Sequence, residues 1–550
     1  MRRLLLSVAL LLLASCGGDA GSERNGGTVV IGIQADADAL LMPLVDGVYG
    51  RVVSELLFDR LAEIGPGLNT VGDAGFEPRL AHRWSWSPDS LAITFELDPD
   101  AKWHDGAPVR AEDVVFGLQA IRDSGNVSSL NASIENVTSA VALDSMHAEI
   151  RFAARAPEQF YMATLIVPLP RHVYGSIPSG GLRASEAARA PVGSGRFRLV
   201  RWESGVRLEL AAVDGHYRGR PHLDRVLFSV SPEVATGIAR LKAGETDVWD
   251  PLPPAVIGDL AAEPHLRVFN SPGFDYGFLA FNFRDPRAPT RPHPLFSDRG
   301  VRRAITLAVD RSTVVRAVFD TLAVVALGPF VRAQASADST LRQIPYDRDA
   351  ANALLDSLGW RDRGADGVRR RDGRTLAFSV IVPSTSRTRE RAAVLIQEQL
   401  RAVGVAMTIE RMDFAVFLGR QTSGNFDAIL GGTRTTPSPS GLRGSWASAA
   451  LQGGGSQNPW HYESAAFDDA VKAGLGAMDP IESKAQLRRA YQQIIDDAAA
   501  IWLYELRNVS AVHRRFVVPS WRPDAWWLTL GDWSVDPAQR LPRDAAPAAP

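Results

Sequence analysis

The chain has 550 residues, 45% of them hydrophobic and 22% charged, with 62 acidic against 60 basic side chains and a formal charge of −2. At roughly 100–200 residues per domain this is length for two to four structural units, and the composition excludes a disordered tail protein or a polytopic membrane protein. Charges that nearly cancel provide no field to gather nucleic acid, so no nucleic-acid partner is expected. The single cysteine, Cys16, excludes internal disulfides, CxxC redox chemistry and cysteine-rich metal sites. Only four of the 60 basic residues are lysines, which reads most simply as arginine-biased codon use.

The N-terminus runs Arg2-Arg3, then apolar from Leu4 to Ala14, then Ser15-Cys16. A short basic segment followed by about 7–15 apolar residues is a secretory-signal pattern, and it falls short of the ~20 residues that span a bilayer. Leu13-Ala14-Ser15-Cys16 also resembles a bacterial lipobox, which implies that 1–16 is a lipoprotein signal ending at a lipidated Cys16. An ordinary signal peptide with a chance cysteine is the alternative. Residues 17–27, rich in Gly, Ser, Asp and Asn, read as a flexible tether.

The ordered part is expected from Thr28. Thr28 to Ile33 reads as a buried strand, Arg51 to Leu61 as a helix, Leu91 to Leu97 as a strand, Ala111 to Arg122 as an amphipathic helix and His147 to Phe152 as a strand. Arg196 to Trp202 and Val206 to Leu210 form a predicted hairpin about Ser204-Gly205, followed by a strand from Arg225 to Ser231 and a helix from Val234 to Ala243. The character changes at Ser271-Pro272-Gly273. Beyond it come a strand at Phe278 to Phe283, helices capped by Asp298 and Asp310, and a helix over Asp347 to Leu358. A β-α-β unit covers 376–412, and a strand at Asp427 to Gly432 precedes a stretch rich in Gly, Ser, Thr and Pro. A helix opening on Asp479-Pro480 with Glu482 precedes a strand at Ala500 to Leu506, and 536–550 reads as a disordered tail. Alternating strands and helices make the class α/β or α+β with at least two lobes.

Catalytic and cofactor motifs are missing. There is no P-loop, GxGxxG, GxSxG or HExxH, and the ten histidines do not cluster, so no enzyme activity, cofactor or metal is expected. His104-Asp105 is an adjacent pair whose members point apart on any regular element.

The stretch from Lys102-Trp103-His104-Asp105-Gly106 to Pro108-Val109, followed by Ala111-Glu112-Asp113-Val114-Val115, reads physically as a tight turn leading into a helix. It closely resembles the signature of the family 5 solute-binding proteins of ABC transporters, the dipeptide, oligopeptide and nickel-chelate receptors. It departs at Arg110, where that family has a capping Thr. Further segments resemble the family in order: Glu77 to Ala81 with Trp84, Pro191 to Phe197, Asp214 to Leu223, Leu241 to Asp247, Phe281-Asn282, and Val301 to Arg311.

The resemblance implies an α/β, two-lobed periplasmic-binding-protein-like fold with a hinge and an extra subdomain in the first lobe. Lobe I is expected at 28–50, 191–270 and 500–535, the subdomain at 51–190 and lobe II at 271–499. It implies an extracytoplasmic, lipid-anchored monomer, on the periplasmic or cell-surface side. Such a protein carries a peptide or other small solute to a membrane permease driven by a separate ATPase. A receptor for a sugar, opine or metal chelate, or a signalling or enzymatic relative, remains open.

In the peptide receptors an Asp after a Gly-Trp strand end pairs with the peptide amine. Here Gly432 stands at the Trp position and Thr435 at the Asp position, with Arg434 beside it. This implies that free-amine peptides are not held in the usual way. Arg434 either meets a ligand carboxylate or phosphate, or faces solvent or an internal acid. Weaker cleft candidates are Asp36 and Asp38 after the first strand, Phe274 and Tyr276 at the crossing into lobe II, and Trp460 and His461 after a glycine-rich loop. Core packing is the alternative for the aromatics. Trp526, Trp527 and Trp533 are expected to pack over the hinge side.

Overall fold

The computed structural model describes residues 26–448 and 458–545; Cys16, the apolar leader and nearly all of the expected tether lie outside the described residues. Two strands run well past the lengths their sequence patterns suggest. Leu266–Phe281 has 16 residues and Ala500–His513 has 14. They pair antiparallel from Leu266↔His513 to Ala280↔Ala500, with register shifts between Pro272 and Tyr276 and between Gly277 and Phe278.

An 11-stranded sheet is organised around this pair. Toward Phe281 the pair is flanked by Ala428–Arg434, Ala377–Pro383 and Ala406–Met412 on one side, and by the short Ala323–Val325 on the other. Toward Leu266 the second long strand pairs with Val248–Trp249. Thr28–Ile33, Arg225–Val230, Arg207–Ala212 and Phe197–Glu203 follow in that order. The sheet therefore has two halves joined by two continuous strands. A separate antiparallel sheet, ordered Ala81–Trp86, Ala92–Leu97, His147–Phe152, Val137–Ala142, is inserted before the first half is completed.

The local expectations hold closely. The parallel unit is Ala377–Pro383, helix Arg387–Ala402 and Ala406–Met412. Asp298, Asp310, Asp347 and Asp479 each accept backbone N–H groups at the helix starts they were expected to cap. Helices Phe414–Thr422 and Ala465–Gly476 were not anticipated. The second stands among glycines and serines, and its buried Phe467, Ala470 and Val471 make too short a stripe to read.

Two boundaries need correction. Ser271-Pro272-Gly273 lies inside the first long strand, because a Pro-Gly pair is tolerated at the irregularity in the ladder. Ala500 pairs with Ala280 in the second half, so the chain regains the first half only after Leu506 rather than at 500.

The signature corner is structural. Trp103 is buried and donates through Nε1 to Asp113 Oδ2 at 3.1 Å. The same carboxylate accepts the backbone N–H of Arg110 at 2.9 Å, the half of a capping box that does not need a Thr, and that of Arg171 at 2.9 Å. His104 points inward, with Nδ1 accepting from Gly193 N and Nε2 reaching Gly195 O, and burial pushes its pKa down to about 4. Asp105 turns the other way, to His172 at 2.7 Å. Gly106, at φ +89°, supplies the left-handed turn that follows them.

The described tail is not frayed. Asp544 is buried. It accepts from Thr28 N at 2.8 Å and from Arg515 at 2.7 Å, so residues 536–544 are held by ion pairing that the Pro- and Ala-rich composition conceals. Arg515, fully buried, also pairs with Asp247 at 2.9 Å and donates to Thr28 O at 2.5 Å. Among the described residues no helix is long and apolar enough to cross a membrane. Replacing Arg515 by Met leaves Asp247 with only Arg543, and Asp544 without a cation among the described residues. Unfolding in urea is expected to show a loss of about 3–5 kcal/mol.

Candidate functional site

A cavity of about 550 Å³ opens between the halves of the sheet. This lies within the roughly 300–1,000 Å³ usual for small-molecule sites. The helix Val48–Leu57 supplies its charged wall. Val48, Arg51 and Glu55 stand three and seven residues apart, so they share one face, while Val52, Val53, Leu56 and Leu57 pack into the core behind. The inserted subdomain adds Leu130, Ser133, Glu158, Tyr161 and Met162. The second half adds Phe274 and the loop from Arg434 to Ser440, and Asp524, Ala525 and Leu528 close the floor.

Charge on this wall is tightly paired. Glu55 accepts from Arg51 at 3.1 Å, Arg60 at 3.0 Å and Trp527 Nε1 at 2.8 Å. Burial pushes its carboxyl upward, but the two guanidiniums and the indole outweigh this and hold its pKa down at about 2. Arg522 joins Glu63 at 3.4 Å to Asp524 at 2.6 Å. Burial pushes the Tyr161 phenol up to about 12. Arg51 keeps 54% of its side chain exposed and lines the cavity.

The opposite wall is the strand end and loop singled out in sequence. Arg434 stands directly across from Asp275 in the ladder and pairs with it at 3.3 Å, while 67% of its side chain stays exposed. It thus meets an internal acid and lines the cavity as well. Thr435 donates its N–H to Phe274 O at 2.8 Å. Gln334 fixes the loop by donating to Thr435 Oγ1, Thr436 O and Ser438 O. Phe274, Arg434 and Thr435 therefore come together at the cavity.

The other candidates do not line it. Asp36 is saturated: it accepts from Trp202 Nε1, Ser204 Oγ, Gly205 N and Ala37 N, and staples the first strand to the hairpin. Burial opposes its ionisation, but those donors hold its pKa below the ordinary carboxylate value. Asp38 accepts from Asp46 N and Gly47 N, and a Cβ at Gly50 would run into its carboxylate. Tyr276 is core, its hydroxyl accepting from Trp446 Nε1. Trp460 stacks on Trp446 at 4.5 Å. His461 bonds Asn282 at 3.1 Å. Of the C-terminal tryptophans, Trp526 donates to Asp250 at 2.9 Å, Trp527 reaches Glu55, and Trp533 is buried against Thr529.

Arg51, Glu55, Glu158, Tyr161 and Ser438 were not singled out in sequence. The charged i, i+4 pair on an otherwise apolar helix was a usable signal for the first two. Glu158, in an Ala-Pro-Glu-Gln segment, carried none.

Residues 75–452 match the profile described as bacterial extracellular solute-binding proteins, family 5 middle. The oligopeptide-binding protein AppA of Bacillus subtilis is 24% identical over 548 residues, covering 95% of this chain and 97% of its own. The dipeptide-binding protein of Escherichia coli is 24% identical over 463 residues, covering 80% and 82%. The crystal structure of the ABC transporter substrate-binding protein CtaP from Listeria monocytogenes superposes with a TM-score of 0.79 at 19% identity, covering 93% of this chain and 99% of that one.

Because the Glu55 pKa falls from 4.5 to about 2 on folding, its stabilising share is complete above pH 4.5 and disappears as pH drops through about 2. Glu55→Gln is expected to cost on the order of 3 kcal/mol at neutral pH. Urea unfolding should show that difference shrinking toward zero near pH 2. A pH-independent difference would mean that packing, not charge, holds the wall.

Proposed function

The chain belongs to the bacterial extracellular solute-binding proteins of family 5, and from that premise we propose that it captures a peptide or peptide-like small solute for an ABC importer. The supporting observation is a cavity with one wall from the helix Val48–Leu57 and the inserted subdomain, and the other from Phe274 and the loop after Ala428–Arg434, beside the two strands that join the halves of the sheet. Hinge closure of two lobes on a solute needs that arrangement. In this reading, 28–50 and 191–270 with the segment after Leu506 form the first lobe, 51–190 the inserted subdomain, and the chain from the irregularity at Pro272 to Leu506 the second lobe. The protein acts as a monomer that delivers its solute to a membrane permease powered by a separate ATPase. Cys16 carries the lipid that holds it to the extracytoplasmic face of the membrane.

The cavity chemistry suits an amphiphilic solute. Met42, Val45, Met162 and Phe274 offer apolar surface, while Arg51 and Arg434 offer partly exposed guanidiniums. Arg434 receives a carboxylate of the solute while Asp275 holds it in place, and Thr435 contributes a hydroxyl rather than a carboxylate.

Purified mature protein is expected to melt higher with pooled dipeptides and tripeptides, and mass spectrometry should find such a solute copurifying. Stabilisation by sugars or metal chelates alone, or chemical turnover of the solute, would replace this reading. Arg434→Ala should weaken binding of peptides with a free C-terminal carboxylate about tenfold, by the worth of one charge-assisted hydrogen bond. It should leave C-terminally amidated peptides unchanged in calorimetric titration. Cys16→Ser should move the protein from the membrane fraction to the soluble extracytoplasmic fraction.

A further inference from the structure

Charge around the cavity does not balance. Among the described residues, the cavity lining and its ion-pair partners comprise six carboxylates and five arginines. Glu55 is shared by Arg51 and Arg60, Glu63 by Arg60 and Arg522, and Asp524 is held by Arg522. Asp275 pairs with Arg434, and Asp46 with Arg183 at 3.7 Å. The sixth carboxylate is Glu158. It lines the cavity at 9% exposure, and among the described residues no cationic side chain pairs with it.

Its only described partners are hydroxyls. Oε1 accepts from Thr70, and Oε2 accepts from Ser438 at 2.8 Å. A carboxylate offers about four lone-pair sites, so two remain for other donors. Burial pushes the Glu158 carboxyl above its ordinary range, and only those two hydroxyls oppose it. A buried charge without a counter-charge is costly, and in a cavity built to be filled the counter-charge can come with the ligand.

We propose that Glu158 receives the cationic group, an ammonium or guanidinium, of the captured solute. This rests on the reading of the cavity as the solute site. Glu158 belongs to the inserted subdomain and Ser438 to the second half, 280 residues away. The cation therefore docks at a point that both walls already share, and its binding favours the closed arrangement of the halves.

The test is thermal shift and calorimetric titration of the mature protein with four probe pools. They are free-amine dipeptides, the same dipeptides N-acetylated, small cations without a peptide bond (putrescine, agmatine, choline), and neutral sugars. Binding is expected only from pools that carry a cation, and Glu158→Gln should weaken it tenfold or more while melting no lower than the parent when unliganded. Ser438→Ala, which leaves the carboxylate in place, should change affinity less than threefold.

Equal binding of acetylated and free peptides, or of sugars, overturns the proposal without needing any variant. So does unchanged affinity in Glu158→Gln, or an equal loss in both variants, which would make the contact between the halves the cause. Binding of the small cations but not of peptides, lost in Glu158→Gln, upholds Glu158 and removes the peptide reading. No shift with any pool counts against both.

Discussion

The ladder between Leu266–Phe281 and Ala500–His513 sets the limits for everything else in this protein. It is continuous through both halves of the sheet, so the halves cannot part without breaking backbone hydrogen bonds. What they can do is bend where the pairing is irregular, between Pro272 and Tyr276 opposite Arg507 and Glu505. Pro272 has no N–H to contribute there. The cavity sits beside that weak point, with Phe274 inside the irregular segment and Arg434 paired to its neighbour Asp275. A small change of angle at the irregularity therefore becomes a change of distance across the cavity.

Away from that axis, much of the long-range order is written in guanidinium groups. Arg515 ties together three segments distant in sequence. Arg302, also buried, donates to the carbonyls of Phe296, Asp497 and Ala498, binding up the end of the helix Pro480–Asp496, and lies over the Phe283 ring at 4.2 Å. Arg369 reaches Val403 O, Trp360 O, Asn352 and Asp356 from a buried position. Each serves several acceptors in different directions, for which a guanidinium offers five donors spread over a rigid plane and a lysine ammonium three at one point. An arginine-rich composition is thus used structurally in this chain, whatever its genetic origin.

What could be read in sequence was what neighbours in sequence decide. Helix caps and the Ser204-Gly205 hairpin depend on residues within a few positions of one another, and the β-α-β unit on one contiguous segment, and they stand where expected. The strand lengths did not show, because their pairing partners lie more than 200 residues away. The same holds for the site. Asp36 looked free because the Trp202 and Ser204 that saturate it are 166 and 168 residues distant. Tyr276, Trp460 and His461 looked like loop or crossing aromatics until Trp446 and Asn282 were brought beside them. Arg434 and Thr435 could be found because they sit at a strand end whose position the resemblance supplied. Glu158 could not, since its partner Ser438 comes from the far wall.

The bond from Thr28 N to Asp544 spans 516 residues, and the buried Arg515 lies between the same two ends. The first strand, paired along its length with Arg225–Val230, is thereby tied at its start to almost the last described residues as well. Without Asp544, Arg515 would keep Asp247 alone as its carboxylate partner among the described residues. Contacts of such separation form late and close large loops. One buried carboxylate and one buried guanidinium thus close the described ends of the fold on each other, so trimming the last described residues would disturb the first strand rather than a loose tail.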